Sequence, residues 1–129
     1  MRDFNDLVVW KRSHKLTLGL YDATSSFPKS EMFGLGGQIR RAGSSIPTNL
    51  AEGCGRWGDG DMGRFLQIAM GSASELDYLL LLAKDLGYMQ TGVHARLAGE
   101  VSEIRRMLTA FYKRVRGPEK RSVARLTNG

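Results

Sequence analysis

The chain has 129 residues, enough for one domain with a substantial core. Its 42% hydrophobic and 25% charged residues fit a folded globular chain and exclude a disordered or fibrous one. The formal net charge of +6 is unevenly placed: from Lys113 onward six basic residues stand against one acid, Glu119, whereas residues 1–112 hold 13 basic and 12 acidic residues.

A single cysteine, Cys54, rules out an intrachain disulfide framework, so the chain is expected to be cytoplasmic. The opening MRDFNDLVVWKRSHK is amphipathic and lacks the charged–apolar–small order of a secretory signal. The densest apolar run, Tyr78–Ala83, is far shorter than the roughly 20 residues of a membrane span. No membrane partner is expected.

The first predicted helix carries Leu7, Trp10, His14, Leu18 and Tyr21 at three- and four-residue steps, which places them on one apolar face. Asn5 or Asp3 can cap its start, and Pro28 ends it by disfavouring helical geometry at Phe27. The second runs from about Glu31 to Arg56, with Leu35, Ile39, Ala42, Ile46, Leu50 and Gly53 as its apolar stripe. Beside that stripe Gln38, Arg41, Ser45, Thr48, Glu52 and Arg56 form a polar seam. Arg41 and Arg56 can pair with Glu52, or with Glu75 on the next helix, because buried charges persist only when paired. Gln38, Arg41, Asn49, Glu52, Arg56 and Glu75 are therefore read as a structural polar network, joining helix to helix or subunit to subunit. Pro47 removes a hydrogen bond and crowds the carbonyl of Gly43, whose missing side chain leaves room for a bend. Alternatively, Ser44 or Ser45 caps a fresh helical start. Either way a kink is expected near Gly43–Pro47.

The glycine-rich Gly55–Asp61 reads as a turn, with Asp61 or Asp59 capping a third helix over Met62 to about Leu86. Its stripe is Phe65, Ala69, Ser72, Leu76, Leu80 and Ala83, and Gly87 suits its C-terminal cap. Leu79, Leu80, Leu81 and Leu82 are consecutive and point around nearly the whole helix, so a subunit interface is expected in addition to a core. The fourth helix, from about Thr91 to Val115, carries Val93, Leu97, Val101, Ile104, Leu108, Phe111 and Val115 at bundle spacing. The fold class is thus all-α: an antiparallel up-down-up-down four-helix bundle over residues 1–116, with a kinked second helix and a basic mobile tail over residues 117–129.

The residues offer little chemistry. His14 and His94 are isolated, and the residues three before them are Lys11 and Thr91, not the glutamates of a di-metal bundle. GDGDMG lacks the glycine and glutamate of a calcium loop, and GLGGQ has no preceding strand and is followed by Ile39 where the third glycine of a dinucleotide fingerprint would stand. No catalytic residue, metal or cofactor is expected.

Three stretches, FNDLVVWKRSHKL, FPKSEMFGLGGQIRRAGSSIPTNLAEGCGR and FLQIAMGSASELDYLLLLAKDLGY, occur in order. Together they resemble the four-helix-bundle proteins encoded in intervening sequences of bacterial 23S ribosomal RNA genes. The likeness covers about residues 4 to 113, and the family's motif positions map onto Arg40, Arg41, Ser45, Pro47, Asn49, Glu52, Gly53, Arg56, Gly71, Ser72 and Glu75. The resemblance implies a homopentamer and no catalytic residue. It also implies kinship with retroelement accessory proteins, pentameric bundles whose basic surface binds nucleic acid and a reverse transcriptase. On that reading the partners are further copies of the chain, RNA or DNA, and a reverse transcriptase or other nucleic-acid enzyme. The cations available are Lys11, Arg12 and Lys15 on helix one, Arg105, Arg106, Lys113, Arg114 and Arg116 on helix four, and Lys120, Arg121 and Arg125 in the tail. The expected activity is non-enzymatic, low-specificity nucleic-acid binding; the alternative is a protein-interaction scaffold.

Overall fold

The computed structural model describes the backbone of residues 2–128 and the side chains of residues 2–117. Four helices and two short 3-10 turns make up the described chain, which contains no strand. The helices are α1 (Val8–Thr24), α2 (Leu35–Cys54), α3 (Asp59–Asp85) and α4 (Thr91–Asn128).

Asp3 caps the opening 3-10 turn, its carboxylate accepting the Asn5 N–H at 3.0 Å. The face that α1 buries differs from the expected one. Val9, Ser13, Leu16, Thr17, Leu20 and Thr24 are buried, while His14, Leu18 and Tyr21 point outward. Hydroxyls that bond back to their own helix make this possible. Thr17 Oγ1 donates to the Ser13 carbonyl at 2.8 Å, and Thr24 Oγ1 to that of Leu20 at 2.7 Å. Once satisfied locally, these side chains pack as small apolar ones. Their burial lets α1 and α2 approach closely and leaves the more conspicuous stripe outside.

The predicted start of the second helix at Glu31 is instead a 3-10 turn, Lys29–Glu31. Glu31 Oε1 accepts the Leu35 N–H at 3.1 Å, satisfying a free donor of the first turn of α2. The predicted stripe from Leu35 to Gly53 is buried throughout. Pro47 lies inside α2, which continues past it as one helix. Because proline has no N–H, the Gly43 carbonyl lacks its usual donor, and Thr17 Oγ1 of α1 reaches it at 3.3 Å. The space left by Gly43, expected to relieve the proline, is filled by Leu20: a Cβ there would overlap its Cδ1.

α3 begins at Asp59, earlier than predicted, after Gly58 with φ 83°. Neither Asp59 nor Asp61 acts as the N-cap. Both lie within the first turn, where their charge favours the positive end of the helix dipole. Gly87 (φ 81°) closes α3, with the Tyr88 N–H donating to the Ala83 carbonyl at 2.9 Å. Of the four consecutive leucines, Leu79 and Leu80 are buried, Leu82 is half-buried and Leu81 is 41% exposed. The length of α3 and the mean hydropathy (1.2) of an 18-residue window within it reach those of a membrane span; packing on α2 and α4 buries 33% of that window, and Ile68, Tyr78, Leu81 and Leu86 remain exposed. The bundle-facing residues of α4 follow the predicted stripe from Leu97 to Phe111. Gly117 (φ 77°, ψ 167°) breaks α4, and helical geometry resumes beyond it.

α1 packs on α2 and α4, and α3 packs on the same two helices, so the four enclose one core. Contacts across the α1–α2 and α3–α4 seams run in opposite sequence directions. Arg40 meets Thr24 and Arg2 meets Cys54; Gln67 meets Tyr112 and Asp77 meets Arg105. Leu20, Ile39, Ile46, Leu50, Leu66, Leu76, Leu80, Ile104 and Leu108 are fully buried at the centre. Each is worth about 1.5–3 kcal/mol relative to exposure.

Candidate nucleic-acid interface

The cations named from the sequence fall into three settings. Arg12 is already engaged. Its Nε and Nη2 donate to the two carboxylate oxygens of Glu100 at 2.9 and 2.8 Å, which ties α1 to α4 and holds the guanidinium more firmly protonated than usual. Lys11 and Lys15 are exposed on α1. Lys120, Arg121 and Arg125 lie outside the described side chains.

The densest setting is the stretch Ile104–Arg116 of α4. Arg105, Arg106, Lys113, Arg114 and Arg116 lie on it, and no acid occurs between Ile104 and Arg116. The core residues Ile104, Leu108 and Phe111 occupy the opposite side of the same turns, so helical geometry brings these cations to the surface. Ser102, Arg105, Arg106, Thr109, Ala110 and Lys113 line a shallow depression on this face. Two of the cations have loose partners: Asp77 lies 3.7 Å from Arg105, and Glu103 lies 3.6 Å from Arg106. Both pairs are solvent-exposed and weak, so they compete poorly with a phosphate. Arg114 lies over Phe111 at 5.5 Å and Arg116 over Tyr112 at 5.6 Å, which orients both guanidinium groups without neutralising them. The Tyr112 hydroxyl accepts from Gln67 Nε2 at 3.0 Å.

The polar seam of α2 is largely a surface feature. Gln38, Arg41, Thr48, Glu52 and Arg56 are exposed, as is Glu75 on α3. Arg56 pairs with Glu52 at 3.6 Å, and no ion pair joins Arg41 to Glu52 or Glu75 among the described residues. Within one protomer the polar link from α2 to α3 is a smaller half-buried cluster. Ser45 Oγ and Ser72 Oγ lie 2.8 Å apart across the α2–α3 seam, and Asn49 Nδ2 donates to Ser45 Oγ at 3.0 Å and to its carbonyl at 2.8 Å. Among the described residues no base is bonded to either serine, and the cluster joins the two helices.

Cys54 is buried, and burial raises its thiol above the usual range. His14 stacks on Trp10 at 5.1 Å. Among the described residues no three histidine, cysteine or acidic side chains converge as metal ligands. Arg96 was not among the cations expected to matter. It lines the α1–α4 groove on the same wall as Glu100, an i,i+4 relation that the sequence does contain.

A family model described as 23S rRNA-intervening sequence protein matches residues 5–110. A solved structure from Bacteroides thetaiotaomicron, described as a protein of unknown function from the S23 ribosomal protein family, is similar in fold. Its TM-score is 0.76 at 24% identity, over 81% of this chain and 95% of that one. No curated protein matches the chain.

Proposed function

The chain belongs to the 23S rRNA-intervening sequence protein family, and we propose that it is a non-enzymatic, oligomeric nucleic-acid-binding bundle that holds RNA or DNA on the outer face of α4. The observation that carries this reading is the acid-free stretch of Ile104–Arg116 with its five cations on one helix. A row of guanidinium and ammonium groups on a rigid helix suits phosphate oxygens and releases their counterions. The same helix offers little for reading bases. Phe111 is buried and Tyr112 is half-buried and bonded to Gln67, so stacking is weak and sequence specificity low.

Assembly multiplies a modest site. The protein is a homopentamer on this reading, and several copies of one cationic face bind a long polyanion far more tightly than one copy does. The exposed Ile68, Tyr78 and Leu81 on α3 supply apolar surface for that assembly. The lone buried thiol suits a cytoplasmic protein.

A second reading, a protein scaffold indifferent to nucleic acid, draws on Phe33, 95% exposed beside Met32 between α1 and α2, and on exposed Trp57 between α2 and α3. Filter binding at low salt separates the two. The nucleic-acid reading expects micromolar or tighter retention of ribosomal RNA fragments or duplex DNA. No retention of either at micromolar protein leaves only the scaffold.

A further inference from the structure

We propose that the groove between α1 and α4 receives the outer face of α3 from a second copy of the chain. The inference rests on the oligomeric reading above and specifies which surfaces meet. The α1–α4 seam is the most sparsely packed of the four helix–helix seams, and a groove of about 590 Å³ opens along it. Leu16, Gly19 and Leu97 contribute its apolar lining, with Leu18, 59% exposed, at one edge. Lys15 stands on the α1 wall and Arg96 on the α4 wall. Both are exposed, and neither has an ion-pair partner among the described residues. The Arg12–Glu100 pair bridges the two walls.

The occupant must therefore present apolar side chains flanked by acids. A helix suits it, because a groove between two helices has no free backbone groups to pair with an extended strand and a helix satisfies its own. The outward face of α3 meets each requirement. Tyr78 and Leu81 are exposed there, between the exposed carboxylates of Glu75 and Asp85, which have no ion pair among the described residues. Glu75 and Asp85 stand about three helical turns apart, and Gly71 and Ser74 extend the same exposed face with small side chains that permit close approach. The carboxylates meet Lys15 and Arg96 of the neighbouring copy while Tyr78 and Leu81 enter the apolar lining. The two surfaces lie on different parts of the bundle, so the contact is head-to-tail and each copy both gives and receives, which generates a ring where the rotation closes. A phosphate backbone is a poorer occupant, since Glu100 and an apolar lining oppose it, whereas the outer face of α4 has no acid between Ile104 and Arg116.

The test is a charge exchange on the full chain, read by light scattering, with circular dichroism as the folding control. All four exchanged residues are exposed, so the variants are expected to fold. Lys15→Glu with Arg96→Glu, and separately Glu75→Lys with Asp85→Lys, should each weaken assembly by about tenfold or more. Combining the four substitutions should restore the wild-type mass. An unchanged mass in either double variant, or no recovery in the combination, overturns the pairing while leaving the oligomeric reading intact. A wild-type monomer overturns both. A Lys15→Glu, Arg96→Glu variant that keeps its mass but loses RNA binding assigns the groove to nucleic acid and also overturns the pairing.

Discussion

Replacing glycine by alanine inside a helix ordinarily stabilises by about 0.8–1.0 kcal/mol, because glycine loses more backbone freedom on folding. Gly99 and Gly43 should respond with opposite signs. At Gly99, on the exposed side of α4, an added Cβ meets nothing within 4 Å. Gly99→Ala should therefore gain about 1 kcal/mol, or about 3–4 °C in Tm. At Gly43 the added methyl overlaps Cδ1 of the fully buried Leu20, with Leu76 Cδ2 at 3.9 Å. Moving Leu20 aside overpacks the core at a cost of about 1–3 kcal/mol. It also loosens the longer branch of the hydrogen bond that the single Thr17 hydroxyl proton shares between the Ser13 and Gly43 carbonyls, a smaller cost. The net expectation for Gly43→Ala is a loss of about 1–2 kcal/mol, so the two variants should differ by about 2–3 kcal/mol. Urea unfolding followed by far-UV circular dichroism reads this directly. Protein concentration must be fixed, because assembly moves the apparent midpoint. A Gly43→Ala protein as stable as wild type would refute the close α1–α2 approach.

Cys54 should react with a thiol reagent only as the protein unfolds, and prompt labelling of the native protein would contradict its burial. Because its folded pKa is raised, the stability it contributes is whole below the ordinary thiol range and is lost as pH rises through the folded value; relative to Cys54→Ala, the wild-type advantage should shrink above about pH 9. A double-mutant cycle on Arg12 and Glu100 should give a coupling of about 0.5–1 kcal/mol that falls with added salt, since the pair is bidentate but about one-third exposed. A coupling of zero would show that the pair does not fasten α1 to α4. Leu81→Glu should change unfolding of the protomer by only about 0.5 kcal/mol while lowering the assembled mass in light scattering; an unchanged mass would remove Leu81 from the interface.

The helices whose core positions are large and aliphatic were legible in the sequence. The stripes Leu35–Gly53 on α2 and Leu97–Phe111 on α4 are the buried faces, because nothing else on those helices competes for the core. α1 was misread for a physical reason. Trp10, His14, Leu18 and Tyr21 look more apolar than Ser13, Thr17 and Thr24, yet hydroxyls bonded to their own helix are buried readily. A periodicity argument assigns a fixed polarity to each residue type and misses that satisfaction. The α4 cations were legible because charge is written in the sequence. That Arg12 is spent on Glu100 was not, since the partners are 88 residues apart in the chain. In a single protomer the α2 seam lies on the surface, where Arg56 pairs with Glu52 while Arg41 and Glu75 face solvent. The helix-to-helix pairing that the charge spacing suggests is therefore absent among the described residues, whereas pairing between subunits is a property of the assembly and not of one copy.

The most direct test is the salt dependence of duplex DNA binding by wild type and by the variant Arg105→Gln, Arg106→Gln, Lys113→Gln. If the outer face of α4 neutralises about three to five phosphates per engaged protomer, log affinity should fall with log salt at a slope of about −3 to −4.5. The variant should bind more weakly and its slope should be shallower by about 1 for each cation removed. A wild-type slope near zero, or a variant with the wild-type slope and affinity, would contradict the assignment of nucleic-acid binding to α4.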